Sequence, residues 1–212
     1  MERQERKLPR TVVRGAFSAL WRPFLWAVAA PVAAFALLRS QRSIDASVRA
    51  KFDTRKWSPE LLKHLEWRRF EELCAAYVEA EGGRASRLMH CKPWDAYRVG
   101  IKPLRELYGA MAAAKTAEGL LITAGRFTHE ARTFAASHHI ELIDGPGLVA
   151  RLSNLAPEKS AALLKLATHG DFLTPTCPAC GIKMASRRST QGGRQYWGCT
   201  NYPRCKHTFY AA

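Results

Sequence analysis

Four cysteines near the C-terminus constrain the chain more than any other feature of its sequence. Cys177 and Cys180 form a Cys-Pro-Ala-Cys pair, and Cys199 and Cys205 follow after 18 and five further residues. Two thiolates two residues apart bind one tetrahedral metal ion from a tight turn, and a second pair completes the ligand shell. Because so short a segment cannot bury a sufficient apolar core, metal binding must supply about 10 kcal/mol of its folding free energy. The spacing therefore predicts a structural Zn²⁺ site in residues 177–212.

The same segment is strongly basic and rich in aromatic rings. It holds six Lys/Arg and no acidic residue, whereas residues 58–176 hold 15 Lys/Arg and 14 Asp/Glu. Cations interleaved with rings suit a nucleic-acid strand, because the charges follow the phosphates and the rings stack on bases. We expect Trp197 and Tyr202 to pack on the metal-binding turns. The residues predicted to contact DNA are Lys183, Arg187, Arg188, Arg194, Tyr196, Arg204 and Lys206.

The run CPACGIKMASRRSTQGGRQYWGCTNYPRC resembles the C-terminal zinc finger of type IA DNA topoisomerases. The similarity lies in the Cys-Pro-x-Cys-Gly opening and in the Trp-Gly-Cys and Tyr-Pro-x-Cys closing, and it covers residues 177–210. It implies that the four cysteines bind zinc and that the segment binds DNA, with single-stranded DNA as the expected form. Topoisomerase activity is not implied, because the rest of the chain is too short for that enzyme.

Residues 57–156 alternate between helical and strand-like patterns. An amphipathic helical pattern begins at Ser58 and ends at Gly83, as one helix or as two joined near Glu66. Short apolar runs typical of strands follow, separated by further helical patterns, at residues 84–94, 119–125 and 139–145. Strands that alternate with helices predict an α/β fold with a parallel or mixed sheet covered on its faces. A helix and a linker over residues 157–176 lead into the cysteine-bearing segment.

Four segments of this region resemble the Mrr-like restriction endonuclease domain, a branch of the PD-(D/E)XK nuclease superfamily. They are LEWRRFEELCAAYVEAEGG, HCKPWDAYRVGIKPLRELYGAM, EGLLITAGRFTHEARTFA and IELIDGPGLVARL, in the family's order within residues 63–154. The resemblance implies a sheet flanked by helices that cleaves phosphodiester bonds with Mg²⁺. Lys92 aligns with the catalytic lysine, Glu71 aligns with the first-helix Glu, and His90 stands where Gln or Glu is usual. His90 is open to interpretation as a transition-metal ligand or as a polar strand residue.

The metal-binding Asp of that family has no counterpart in this chain. The family places a strand hairpin with this Asp between the first helix and the lysine strand, but here only Gly82–Met89 stands there, and no Asp or Glu occurs between Glu81 and Asp95. We do not expect Asp95, three residues after the lysine, to take the missing role. The sheet is therefore predicted to be truncated, with a deletion between residues 82 and 89. Three interpretations stay open: a membrane-tethered DNA endonuclease with a compromised or alternative metal site, a catalytically inactive module that tethers DNA through its zinc finger, and a purely structural membrane protein.

The N-terminal part is basic and contains a long apolar run. Residues 1–57 hold 12 Lys/Arg and four Asp/Glu, and the run from Ala16 to Leu38 contains Arg22 as its one charged residue. Its length is close to the about 20 residues that cross a bilayer. We predict a basic N-terminal segment over residues 1–56 with a membrane helix at 17–38, and a membrane-associated protein whose remainder lies in the cytoplasm. A cytoplasmic protein in which this helix is buried or lies on the surface is the alternative.

Overall fold

The computed structural model describes residues 53–83, 87–92, 98–189 and 192–210. All of these residues belong to one compact unit, which spans residues 43–212. Within the described ranges, no helix combines the length and the apolar character that crossing a bilayer requires. The helix expected over residues 17–38 lies outside these ranges.

The amphipathic pattern that begins at Ser58 forms two helices, α1 (Pro59–His64) and α2 (Trp67–Ala80). The Ser58 hydroxyl caps α1, and proline at the first helical position costs no hydrogen bond because the amide there has no partner in a helix. Leu65 takes an extended conformation that ends α1, and the Glu66 carboxylate then caps α2. The expectation of two helices joined near Glu66 is confirmed.

Between α2 and the cysteine-bearing segment, the described residues form four helices and five strands. In chain order the elements are β1 (Arg87–Lys92), β2 (Arg98–Val99), α3 (Ile101–Ala114), β3 (Glu118–Thr123), β4 (Arg126–Phe127), α4 (His129–Ser137), β5 (Ile140–Ile143), α5 (Gly145–Asn154) and α6 (Pro157–Thr168). Three strands form a parallel sheet in the order β1-β3-β5, and β2 pairs with β4 in a separate parallel ladder. The predicted α/β class with a parallel sheet is confirmed.

Helices cover both faces of the three-stranded sheet. Leu120 and Ile122 of β3 join a core formed with α1, α2, α5 and α6, whereas Leu121 joins a second core with α3 and α4. Burial on both faces explains why β3 is continuously apolar. The side chains of β1 also alternate between the two faces of the sheet, so Met89 packs against the first core and Leu88 against the second.

The cysteine-bearing segment folds as an antiparallel ribbon. Its strands are β6 (Met184–Arg188), β7 (Gln195–Cys199) and β8 (Thr208–Tyr210), and β7 lies in the middle. Trp197 and Phe209 pack with Met184 and with three of the cysteines. This apolar cluster is small, as expected for a segment whose fold depends on a metal ion.

Candidate zinc centre and nucleic-acid groove

The four cysteines converge at one end of the ribbon. All four sulfur atoms lie within 4.8 Å of one another, and the Sγ–Sγ distance is 3.7 Å between Cys177 and Cys205 and 3.4 Å between Cys180 and Cys199. A tetrahedral zinc ion with Zn–S bonds of about 2.3 Å requires sulfur atoms about 3.8 Å apart. The four thiols therefore fit a zinc ion. In the part of the chain that the structure describes, they are the one group of three or more His, Cys, Asp or Glu side chains placed to hold a metal.

Short turns hold the cysteine pairs in this arrangement. Gly181 has φ +73°, a conformation that favours glycine, and it closes the first turn. The Ile182 amide donates a hydrogen bond that lowers the pKa of Cys180 to about 7, which favours the thiolate that binds metal. In the second turn the Asn201 amide donates to the Cys199 sulfur at 3.4 Å. The backbone thus stabilises negative charge on Cys180, whereas burial raises the pKa of Cys199 to about 12.

A groove of about 290 Å³ crosses the face of the ribbon beside the zinc centre. Arg187 and Tyr196 are paired across β6 and β7, so their side chains lie next to each other on this face. Gly198 forms the floor, because a Cβ atom at this position would lie 3.0 Å from the Arg187 side chain. The charged and aromatic residues that line the groove are Arg187, Tyr196, Tyr202, Lys206 and His207.

The residues predicted to contact DNA fall into three groups. The groove is lined by Arg187, Tyr196 and Lys206. A second group is exposed on the ribbon outside the groove and consists of Arg188, Arg194 and Arg204. Lys183 forms the third group by itself.

Lys183 joins the ribbon to the start of α2. Its Nζ lies 3.1 Å from Glu66 Oε1 and donates to the carbonyls of Asp171 at 3.0 Å and Thr174 at 2.8 Å. Glu66 is only 4% exposed and also accepts hydrogen bonds from the amide of Thr176 at 3.2 Å and from its hydroxyl at 3.1 Å. Three acceptors occupy the Lys183 ammonium, so we omit Lys183 from the proposed DNA-binding surface. Neither its contact with Glu66 nor the role of Glu66 was expected from the sequence.

The two rings expected to pack on the metal-binding turns behave differently. Trp197 packs with Met184 and the cysteines, as expected. Tyr202 is 65% exposed, so the expectation for this ring is wrong. Phe209 packs in the ribbon core instead, because it pairs with Trp197 across β7 and β8. The Tyr202 ring is therefore available to the groove.

In the nuclease-like part, α2 runs antiparallel to β1. The Cys74 thiol of α2 lies beside the Cys91 thiol, and burial together with this neighbour raises the pKa of Cys74. Tyr77, one turn later, lines a cavity with the first residue of β1. Glu71 precedes Cys74 by one turn and is exposed. It is therefore placed towards the end of β1 at which Lys92 stands.

His90 and Lys92 occupy β1 positions that pair with Leu121 and Thr123 of β3. His90 is half-buried, while the Lys92 side chain and Asp95 lie outside what the structure describes. Mg²⁺ prefers oxygen ligands from carboxylates. Among the described residues, no group of three or more acidic or histidine side chains is arranged to hold an ion at this end of the sheet. The described residues thus do not form a Mg²⁺ site there.

The connection between α2 and β1 is short. It consists of residues 81–86 alone. Two strands of at least three residues and a two-residue turn need about eight residues. A connection of six residues is therefore shorter than such a hairpin.

The geometry defines an α/β core with a parallel sheet joined to a four-cysteine zinc ribbon. Within it, residues 83–152 match the family model described as restriction endonuclease, and residues 174–210 match the model described as topoisomerase DNA binding C4 zinc finger. Both resemblances inferred from the sequence are confirmed. The first match begins after α2, so the role of Glu71 is not covered by it. No curated protein matches the chain.

Proposed function

We propose that the chain binds a single strand of DNA in the groove of its zinc ribbon. The observation that carries this proposal is the pairing of Arg187 with Tyr196 beside the exposed ring of Tyr202 and the ammonium of Lys206. Rings stack on bases of any sequence, while cations contact the phosphates. The bases of a duplex are already stacked on each other, so exposed rings favour a single strand. The match to a DNA-binding zinc-finger family supports the same conclusion.

Zinc contributes to this proposal by holding the groove together. Tyr202 lies between Cys199 and Cys205 in the chain, and Lys206 directly follows Cys205. A zinc ion bound by these cysteines fixes the turn that carries both groove residues. The metal is thus structural, and the DNA contacts are made by the side chains of the turn and of the neighbouring strands.

The salt dependence of binding tests this proposal. The affinity of the full chain for a fluorescent oligothymidylate is measured by anisotropy between 50 and 200 mM salt. Each phosphate contact to a single strand contributes a slope of about −0.7 to log K against log salt. The double variant Arg187→Ala/Lys206→Ala is expected to weaken binding and to reduce the slope by about 1.4. Lys165→Ala, an exposed position on α6, is the matched control, and equal slopes for both variants would contradict the proposal.

We further propose that the nuclease-like part is a scaffold that has lost phosphodiester cleavage. Support comes from the absence of any Asp or Glu between Glu81 and Asp95 and from the six-residue connection before β1. Mg²⁺-dependent cleavage is the second candidate function. It is favoured by the position of Lys92 at the end of β1 in the matched domain.

Incubation of the full chain with plasmid and single-stranded DNA in Mg²⁺ or Mn²⁺ distinguishes the two functions. The scaffold proposal predicts retention of DNA without cleavage. Cleavage that Lys92→Ala abolishes and that Lys102→Ala, an exposed lysine of α3, preserves would refute the scaffold and establish the nuclease.

We further propose that the chain associates with a membrane and that its DNA-binding part lies in the cytoplasm. The apolar run over residues 17–38 supports this proposal. Fractionation of cells that produce the full chain and a variant lacking residues 17–38 tests it. We expect the full chain to sediment with membranes after alkaline extraction and the variant to be released. Recovery of both in the supernatant would contradict membrane association.

A further inference from the structure

A polar cavity of about 440 Å³ opens at the end of the sheet opposite Lys92. Its walls come from the C-terminal turn of α2 and the glycines after it, the start of β1, one residue of β3, the strand β5 and the helix α5. The polar side chains that line it are Tyr77, Glu81, Arg87, Glu141 and Arg151. None of these residues belongs to the zinc centre, to the ribbon groove or to the Lys92 end of the sheet.

Two arginines share one carboxylate in this cavity. Arg87 is hydrogen-bonded to one oxygen of Glu141, and the Arg151 guanidinium lies 2.6 Å from the other. Burial opposes ionisation of Glu141, but the hydrogen bonds from both arginines outweigh it and lower the pKa of this carboxyl. Glu141 is therefore a carboxylate at neutral pH, and one positive charge of the three groups is not compensated among them.

Most of the donors on these arginines are not used by Glu141. Each guanidinium carries five N–H donors, whereas the hydrogen bonds from Arg87 and Arg151 to Glu141 use one NH₂ group of each. The Arg87 side chain is only 16% exposed, and its Nε–H is buried and has no hydrogen-bond partner among the described residues. A buried donor without an acceptor costs about 1–3 kcal/mol. An acceptor inside the cavity would remove this cost.

Tyr77 presents a second buried polar group to the same cavity. Its side chain is fully buried, and its hydroxyl has no hydrogen-bond partner within the described part of the chain. Burial, with the nearby Glu81 carboxylate adding to it, raises the pKa of Tyr77 to about 12. The Arg151 guanidinium acts in the opposite direction on this pKa but does not outweigh burial and Glu81. The phenol stays protonated at neutral pH and is a donor.

We propose that this cavity binds an oxyanion of the phosphate class. Phosphate oxygens accept several hydrogen bonds at once, and arginine forks match their geometry. The buried donors are Arg87 Nε–H and the Tyr77 hydroxyl, and Arg151, which is 41% exposed, closes the mouth of the cavity. Glu81 is exposed at the rim, where solvent screens its charge. The volume is sufficient for a phosphate group attached to a nucleoside or to the end of a DNA strand.

Calorimetric titration of the full chain with three probes tests this inference. The probes are inorganic phosphate, deoxyadenosine monophosphate, and a 5′-phosphorylated oligothymidylate compared with its 5′-hydroxyl form. Saturable binding is expected for at least one phosphate probe. Binding of the first two identifies a free phosphate or nucleotide as the source, whereas a preference for the 5′-phosphorylated strand alone identifies a DNA end. The oligonucleotide comparison is repeated in the Arg187→Ala/Lys206→Ala background, so that failure of the ribbon groove does not affect the result.

Two variants locate the binding site. Tyr77→Phe removes the unpartnered hydroxyl and keeps the buried ring, so the fold is preserved and phosphate affinity is expected to fall roughly tenfold. Arg151→Gln acts at the cavity mouth and is expected to weaken binding by a similar factor. Tyr108→Phe, an exposed tyrosine on α3, is the matched control. The inference is overturned if no phosphate probe binds saturably, or if binding is the same in Tyr77→Phe, Arg151→Gln and the control.

Discussion

Glu66 is the position at which a single substitution should most weaken the attachment of the ribbon to the core. In Glu66→Ala the amide and hydroxyl of Thr176 lose their acceptor inside the protein, and each such buried group costs about 1–3 kcal/mol. The α2 cap is lost as well, at about 1 kcal/mol. The Lys183 side chain is 40% exposed, so solvent screens the ion pair and its own contribution is at the level of about 1 kcal/mol. We expect the free energy of unfolding to fall by about 4 kcal/mol or more.

Urea denaturation of the zinc-loaded full chain, followed by far-ultraviolet circular dichroism, measures this change. Glu72→Ala is the matched control, because Glu72 lies on the same helix and forms ion pairs with Arg68 and Arg69 at 3.8 and 3.7 Å, but is 49% exposed. The control is expected to cost less than about 0.5 kcal/mol. If Glu66→Ala costs no more than Glu72→Ala, the ribbon is not held to the core by this network.

Three further predictions concern the groove, the core and the metal. Tyr202→Ala removes an exposed ring, so it should leave the unfolding free energy unchanged and weaken single-strand binding by about 1–3 kcal/mol in the anisotropy assay. Gly145→Ala should lower the free energy of unfolding by about 2 kcal/mol or more, because the new Cβ would lie 2.2 Å from the Ala124 carbonyl oxygen. Gly109 is an exposed helical position with nothing within 4 Å of the new atom. In the same urea series, Gly109→Ala should therefore raise the free energy of unfolding by about 0.5–1 kcal/mol. Zinc should bind at one ion per chain and dissociate as the pH falls, because protons compete for the thiolates. Cys180→Ser should raise the pH at which a chromogenic chelator removes the metal. An unchanged release profile would exclude Cys180 as a ligand.

The elements of the core could be predicted because their signals are local. Ser58 and Thr128 precede helical patterns, and their hydroxyls accept hydrogen bonds from amides three residues ahead at 3.1 and 3.2 Å. The apolar run at β3 has glycines at both ends and is buried on both faces. The zinc site was predictable for a related reason, because the cysteine spacing that one metal ion requires is visible in the sequence.

The features that were not predicted depend on contacts between distant parts of the chain. Lys183 and Glu66 are 117 residues apart, and a basic residue in a basic tail resembles a DNA contact until its partner is known. Tyr202 was expected to pack on the metal-binding turns, but Trp197 and Phe209, which pair across β7 and β8, fill the ribbon core instead. The β2-β4 ladder involves two residues on each strand, which is too short for a periodic pattern.

Photochemical cross-linking tests directly whether a single strand lies in the ribbon groove. An oligonucleotide that contains 5-iodouracil is cross-linked to the zinc-loaded full chain, and the modified residues are identified by mass spectrometry. Iodouracil couples to aromatic side chains on which it stacks. We expect adducts on Tyr196 and Tyr202, the two tyrosines that line the groove, and we expect these adducts to be lost when zinc is chelated. Adducts confined to the α/β core, or adducts on the ribbon that persist without zinc, would contradict it.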